Sequence, residues 1–143
     1  MRDYGKLAHC RWECKYHLVW IPKYRKKVIY GKLRKQVGKE LRKLCEEKKI
    51  ELLEGNARPD HIHMLVSIPP KFSVSYVVGY LKGRSAIRIH REYLERRRNF
   101  TGYHFWARGY CVSTVGLDEA RVKNYIREQE LRDRKEDQLK IPL

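Results

Sequence analysis

The chain has 143 residues, the length of one ordinary domain with a core of its own, and 42% of them are hydrophobic. No apolar run approaches the roughly 20 residues that a membrane-spanning helix needs, and the N-terminus lacks a signal-peptide pattern. We therefore expect a cytoplasmic protein without a membrane partner. Thirty-three Lys and Arg against 17 Asp and Glu leave a formal net charge of +16, which favours nucleic acid as the partner over an anionic membrane surface.

The first half of the chain predicts three strands and one helix. Residues 10–21 alternate between apolar and polar side chains, the two-residue period of a half-buried strand. Residues 32–48 carry apolar side chains three and four positions apart, as an amphipathic helix does. Residues 50–54 form a short strand, residues 55–59 have the composition of a turn, and residues 61–68 return as the next strand.

The second half adds a helix over residues 73–90, a charged loop or frayed helix end over 92–103, a strand over 105–115 and a last helix over about 117–138. The order β-α-β-β-α-β-α predicts an α+β fold of the ferredoxin-like or RRM-like kind. This fold is a split β-α-β sheet of four antiparallel strands with the helices on one face, here extended by the C-terminal helix. Residues 1–143 form a single domain in this interpretation, and the first and third strands are the central pair of the sheet.

Two histidines stand on the third predicted strand. His61 and His63 are two positions apart, so both side chains point to the face opposite the apolar row of Ile62, Met64 and Val66. With roughly 6–7 Å between their Cα atoms, the two imidazoles can converge on one divalent metal ion. Two surface histidines on a half-buried strand are the alternative, and a His-x-His pair alone does not exclude it.

The last helix carries a tyrosine and a glutamine one turn apart. Val122, Tyr125, Ile126 and Gln129 have the spacing of a core stripe, in which Tyr125 would be a core aromatic with its hydroxyl at the rim. Gln129 is unusual in such a stripe, where an apolar residue is expected. The two side chains can instead present an oxygen nucleophile and an amide oxygen ligand to the same point in space.

Together these features predict phosphoryl transfer on nucleic acid through a covalent phosphotyrosine. His61, His63 and Gln129 would hold a divalent metal ion, and Tyr125 would attack the phosphorus. Free tyrosine has a pKa of about 10 and is a poor nucleophile at neutral pH. A metal on the scissile phosphate offsets the negative charge of the transition state. No nucleotide cofactor is expected, because the sequence has no Gly-rich phosphate loop.

Four segments carry a resemblance to a known family. They are YHLVWIPKYRKKV, GNARPDHIHMLVSIPP, GYLKGRSAIRI and VKNYIREQE, in this order along the chain. Together they resemble the single-tyrosine transposases of the HUH endonuclease superfamily, the TnpA type that moves insertion sequences as single-stranded DNA. The resemblance extends over nearly the whole chain.

The resemblance implies a site and a reaction. Tyr125 would be the nucleophile, and His61, His63 and Gln129 would hold Mg²⁺ or Mn²⁺. The enzyme would cleave single-stranded DNA at transposon ends, keep a 5′-phosphotyrosine, free a 3′-hydroxyl and rejoin strands by attack of a 3′-hydroxyl on that linkage. It would recognise imperfect DNA hairpins near each end. It would act as a homodimer in which the tyrosine helix of one protomer can complete the histidine site of the other.

Two groups of basic residues are candidates to grip hairpin phosphates, and Tyr24 or another exposed aromatic is a candidate to stack on an unpaired base. One group follows the first strand, and the other lines the outward side of the second helix, where a row of cations one turn apart can track phosphates. For any single member a solvated charge is the alternative. The candidates are Lys23, Arg25, Lys26, Lys27, Lys82, Arg84, Arg88 and Arg91.

Three other functions remain open at this point. Another HUH enzyme, such as a replication initiator or relaxase, has the same site but generally a longer chain. A host-domesticated, repeat-associated relative shares the site and serves the host. A non-catalytic nucleic-acid-binding module also uses a ferredoxin-like sheet with aromatics on its open face, and it needs neither the metal nor the Tyr125 hydroxyl.

Overall fold

The computed structural model describes residues 5–7, 10–12, 14–25, 27–92, 105–114 and 119–140. Its main sheet has four strands in the order β4-β5-β3-β6, and every neighbouring pair is antiparallel. The predicted α+β fold is confirmed, with β3 and β5 as the central pair. The strands of this sheet are β3 (Lys15–Trp20), β4 (Glu51–Arg58), β5 (His61–Ser67) and β6 (Cys111–Thr114).

Two helices pack on one face of this sheet, α1 (Gly31–Glu47) and α2 (Val74–Glu92). The even-numbered side chains of β3 and β5 point to that face because side chains alternate along a strand. The core that forms there is continuous from the strands to both helices. Its fully or nearly fully buried members include Leu18, Trp20, Ile62, Met64 and Val66 from the sheet and Val37, Leu41, Leu44, Val77 and Leu81 from the helices.

The opposite face is partly covered by the last helix, α3 (Glu119–Lys140). Ile21, Ala107 and Ile126 form a small second core there, with Tyr125 packed against it. The stretch around Ala107 lies alongside the residues that come after β3. The Ala107 amide donates to the Ile21 carbonyl at 2.9 Å, and the Lys23 amide donates to the Phe105 carbonyl at 2.8 Å. At Ile21, the odd-numbered position that follows β3, α3 therefore packs on the side of the sheet that carries the odd-numbered side chains.

Three predicted boundaries are wrong. The strand predicted for residues 10–21 is divided into β2 (Cys10–Trp12), which pairs with β1 (Gly5–Leu7) in a separate two-stranded sheet, and β3. The turn predicted at residues 55–59 begins later, because β4 continues through Gly55 to Arg58. The last strand begins later than residue 105, since regular pairing starts at Cys111, and residue 115 lies outside the described residues. The charged segment predicted at 92–103 lies almost wholly outside the described residues.

None of the helices in the described ranges is long and apolar enough to span a membrane.

Candidate active site

His61 and His63 lie on the central strand β5, on the face turned away from α1 and α2. Both are partly exposed, whereas Ile62 and Met64 between and beyond them are buried in the core. In the register of the sheet, His63 lies opposite Val19 of β3 and opposite Asn56 of β4. The two imidazoles are therefore fixed to a rigid element at a two-residue spacing, as the sequence predicts.

The carboxylate of Asp60 orients the ring of His61. The distance between His61 Nδ1 and Asp60 Oδ1 is 2.9 Å. An ionised carboxylate can only accept, so Nδ1 carries the hydrogen and donates it. In the neutral form of this ring the lone pair is on Nε2, the atom that can then bind a metal ion. Carboxylates fix the tautomer and the orientation of metal-binding imidazoles in this way.

His63 has an unexpected neighbour in His17 of β3. His17 Nδ1 and His63 Nε2 lie 3.1 Å apart, and the two ring centroids are separated by 5.2 Å. Burial lowers the pKa of His63 below its ordinary value, and the nearby His17 and His61 lower it further. His63 is consequently neutral at physiological pH, which is the form that binds a metal.

The helix α3 presents one face to the sheet. Ile126 and Gln129 are buried on this face, and Tyr125 is half-buried beside them. Four residues beyond Gln129, the carboxylate of Asp133 is 2% exposed and accepts a hydrogen bond of 3.0 Å from the Tyr24 amide. Apolar packing at Ile126 and this hydrogen bond hold α3 against the end of β3.

The hydroxyl of Tyr125 is buried and has no hydrogen-bond partner among the described residues. Burial raises the pKa of Tyr125 far above its ordinary value, and Cys111 adds to the shift. The backbone of Gly109 lies against both candidate residues of α3. A Cβ atom at Gly109 would be 3.8 Å from the Tyr125 hydroxyl and 3.7 Å from Gln129 Oε1. Tyr125 is therefore a neutral phenol, held next to the amide oxygen of Gln129.

The histidines and the tyrosine helix share one face of the sheet. Trp20 pairs with Ile62, so the next position, Ile21, lies beside His61, and Ile21 is the residue on which Ile126 of α3 packs. In the part of the chain that the structure describes, no hydrogen bond joins Tyr125 or Gln129 to either histidine. The packing of Ile126 on Ile21 thus places the tyrosine helix on the histidine side of the sheet, at the end of β3.

The chemistry of these side chains fits a divalent cation. Two imidazoles and one amide oxygen are neutral donors that suit a divalent ion whose remaining ligands are water and phosphate oxygens. Within the described ranges no three His, Cys, Asp or Glu side chains form a metal-binding cluster. Gln129 Oε1 is a neutral oxygen donor of the kind that Mg²⁺ and Mn²⁺ accept.

The basic residues predicted to bind DNA have different environments. Lys23 and Arg25 belong to a single 3-10 turn, Lys27 is exposed, and Lys26 lies outside the described residues. On α2, Arg84 and Arg91 are exposed.

The other two cations of α2 do not continue an exposed row, contrary to the sequence-based expectation. Arg88 is ion-paired with Glu40 at 2.7 Å and lies 3.6 Å from Glu47. Lys82 is bonded to two backbone carbonyls. Both side chains are bent toward the protein because their charges have acceptors there.

Sequence comparisons identify the class. The family described as "Transposase IS200 like" matches residues 10–129. The transposase for insertion sequence element IS200 of Salmonella typhimurium is 47% identical over 142 residues, covering 99% of this chain and 93% of that protein. The ISDra2 transposase TnpA of Deinococcus radiodurans is 31% identical over 119 residues, covering 82% of this chain and 85% of that protein.

Solved structures have the same fold. A putative transposase from Deinococcus radiodurans superposes with a TM-score of 0.75 at 27% identity, covering 90% of this chain and 97% of that chain. A REP-associated tyrosine transposase bound to a REP hairpin superposes with a TM-score of 0.55, covering 88% of this chain and 66% of that chain. At 10% identity, this second likeness is one of fold.

The fold and the sequence relatives define the class of protein as a transposase. The chain belongs to the IS200-like transposase family, and the protein is a transposase, an enzyme of DNA transposition.

Proposed function

We propose that this transposase cleaves and rejoins single-stranded DNA at the ends of its insertion sequence through a 5′-phosphotyrosine on Tyr125. The observation that carries the proposal is the placement of two pairs on one sheet face. His61 and His63 are fixed on β5, and Tyr125 and Gln129 stand one turn apart on α3, which packs on Ile21 next to His61. A metal site and a nucleophile on adjacent rigid elements are what phosphoryl transfer requires.

In this reaction the Tyr125 oxygen forms a bond to the phosphorus and the bond from phosphorus to the 3′ oxygen breaks. The phenolic proton leaves Tyr125, and the departing strand takes up a proton to become a 3′-hydroxyl. Rejoining is the same step in reverse with another strand's 3′-hydroxyl as the nucleophile. Because burial keeps Tyr125 protonated, the hydroxyl must gain a proton acceptor when DNA enters.

His61, His63 and Gln129 are the residues that would hold the metal, Mg²⁺ or Mn²⁺. When bound, the ion polarises the scissile phosphate and offsets the charge that develops in the transition state. Asp60 holds His61 in the tautomer whose Nε2 is free for the metal, and burial keeps His63 neutral. Two imidazoles and one amide bind a hard cation weakly, so we expect metal binding to tighten when DNA phosphate is present.

We further propose that an aromatic stack on α2 and the loop before it contacts unpaired bases of a DNA hairpin. Phe72, Tyr76 and Tyr80 stack in a row, with ring centroids 5.3 and 6.4 Å apart, and Tyr76 is 45% exposed. Aromatic faces ringed by cations accept bases by stacking and phosphates by charge. The cations lie 4.8–5.8 Å from these ring centroids and are Lys48, Lys71 and Arg84.

One observation supports hairpin recognition. The REP-associated tyrosine transposase is bound to a hairpin in its own structure, and this chain shares its fold. The proposal of a dimer rests on the resemblance of the site segments to the TnpA-type transposases. We propose a cytoplasmic homodimer in which α3 of one protomer can complete the histidine pair of the other.

A denaturing-gel assay tests the reaction. The substrate is a labelled single-stranded oligonucleotide with the hairpin that flanks the element, and the proteins are the wild type and Tyr125→Phe, each with Mn²⁺ or with EDTA. A protease-sensitive covalent adduct that needs both the metal and Tyr125 supports the proposal. Hairpin binding without any adduct would instead indicate a non-catalytic binding module.

A further inference from the structure

Lys82 is a half-buried lysine whose ammonium is bonded to the protein backbone. Its Nζ donates to the Ala107 carbonyl at 2.8 Å and to the Gly109 carbonyl at 2.7 Å. Charged donors make hydrogen bonds roughly twice as strong as neutral ones. Burial lowers the pKa of Lys82 to about 8.

Both acceptors of Lys82 belong to residues that contact the tyrosine helix. Ala107 packs with Ile126 in the second core, and Gly109 lies against the Tyr125 hydroxyl and Gln129 Oε1. Gly109 has a φ of +87°, a backbone conformation that glycine adopts more readily than other residues. This stretch precedes β6, and its backbone is held on one side by the hydrogen bond from the Ala107 amide to the Ile21 carbonyl and on the other by the Lys82 ammonium at the carbonyls of Ala107 and Gly109.

We propose that Lys82 is a positioning residue for Tyr125. It clamps the backbone at Ala107 and Gly109, and this backbone forms the surface on which α3 presents Tyr125 and Gln129. Lys82 therefore acts through the 107–109 segment rather than by touching DNA. The proposal rests on the phosphotyrosine function proposed above, and it reassigns a lysine that the sequence pattern places among the phosphate contacts.

The geometry of Lys82 favours this role over a phosphate contact. An ammonium has three donors, and two of them are already used at short distances inside the protein. A phosphate would have to share this half-buried charge with both carbonyls. Loss of the clamp would let the segment move, and a misplacement of about 1 Å at a reacting group can lower the rate on the order of 100-fold.

The test compares Lys82→Met and Lys82→Arg with the wild type and with Lys39→Met, which removes the same charge from an exposed site on α1. Hairpin affinity is measured by fluorescence anisotropy, and adduct formation is measured in a single turnover at saturating protein. We expect Lys82→Met to keep its hairpin affinity within about twofold and to lose on the order of tenfold or more in adduct rate. Lys82→Arg, which can still donate to both carbonyls, recovers most of the rate, and Lys39→Met behaves as the wild type.

Hydrogen exchange provides a readout that does not depend on catalysis. In Lys82→Met the amides of residues 124–130 should exchange faster than in the wild type, while those of α1 should not change. If Lys82→Met does not fold, Lys82→Gln, which keeps one donor group, takes its place. Weaker hairpin binding with an unchanged adduct rate at saturation, or wild-type values in every assay, would overturn the proposal. A wild type that forms no adduct overturns the proposed reaction alone, because the exchange comparison still tests the clamp.

Discussion

Tyr24 and Asp133 are 109 positions apart in the sequence, and a hydrogen bond of 3.0 Å joins the Tyr24 amide to the Asp133 carboxylate. Tyr24 has a positive φ of 61°, an uncommon conformation for a residue other than glycine. The buried carboxylate thus stabilises the turn after β3 and docks the second half of the tyrosine helix on it. Ile126, two turns earlier, supplies the apolar part of the same contact.

Removal of this carboxylate should loosen α3 without unfolding the sheet. We expect Asp133→Ala to lower the free energy of unfolding by about 1–3 kcal/mol, since the Tyr24 amide loses a charged acceptor in a buried site. Urea unfolding followed by circular dichroism measures the change. Asp133→Asn is the matched control, because its amide oxygen can still accept the bond, and it should lose less than half as much. Equal stability of Asp133→Ala and the wild type would contradict the docking role.

The contact between His17 and His63 leads to a prediction on metal binding. His17 packs beside His63 and bonds one of its nitrogens, so we expect His17→Ala to let the His63 ring rotate. Loss of a group that orients a metal-binding histidine typically weakens metal affinity 10–100-fold. A Mn²⁺ titration of the DNA-bound protein, read by electron paramagnetic resonance, measures this. Ser113→Ala, across from His17 on β6, is the control and should bind Mn²⁺ as the wild type does.

The sheet and the main candidates of the site could be predicted because they depend on local periodicity. Alternation along β5 placed His61 and His63 on one face, and helical spacing placed Tyr125 and Gln129 on another single face. These two signals need no knowledge of how distant segments meet. The helix α1 was predicted within one residue at each end for the same reason.

The remaining contacts depend on long-range register, which a single sequence does not specify. Alternation along β3 places His17 on the same face of the sheet as His61 and His63. Only the pairing of β3 with β5, however, brings His17 next to His63. Asp133 resembles any acidic residue of an exposed helix until the turn at Tyr24 is placed beside it. The continuation of β4 through Gly55 was missed because Gly and Asn are the usual residues of a turn.

Loss of Arg88 and loss of Arg84 should change different properties of the protein. Loss of Arg88 should lower stability, and loss of Arg84 should weaken DNA binding. Glu40 is nearly buried and is paired with Arg88 at 2.7 Å, so Arg88→Met leaves a carboxylate without its partner. We expect Arg88→Met to cost roughly 1–3 kcal/mol of stability, less than a fully buried pair would, because Arg88 keeps part of its surface in water. Hairpin affinity should change less than twofold.

Arg84→Met is the matched comparison on the same helix. Arg84 is exposed beside the Tyr80 ring, so its loss should leave stability unchanged. It should lower hairpin affinity severalfold and reduce the slope of log affinity against log salt by about 0.9, the value for one phosphate contact. Denaturant unfolding and anisotropy titrations at several salt concentrations measure both variants. A larger loss of affinity for Arg88→Met than for Arg84→Met would return Arg88 to the DNA surface.

The buried thiol of Cys45 should make the stability of the protein depend on pH in alkaline solution. Cys45 lies on α1 and is buried in the hydrophobic core, and burial raises its pKa from 9.0 to about 12. Between these two values the unfolded chain loses the thiol proton while the folded protein keeps it. The folded state then binds more protons than the unfolded state, so the stability that this group contributes falls as the pH rises from 9 toward 12. The slope is at most about 1.4 kcal/mol per pH unit for one proton.

Urea unfolding at pH 8, 9 and 10 measures this dependence, with Cys45→Ala as the comparison. The variant loses some packing at every pH, but its stability should fall less steeply above pH 9 than that of the wild type. A thiol reagent offers a second measurement, because Cys14 and Cys111 are partly exposed and should react with it in the folded protein well before Cys45 does. Parallel stability profiles for the two proteins, together with fast labelling of Cys45, would contradict a buried and protonated thiol at this position.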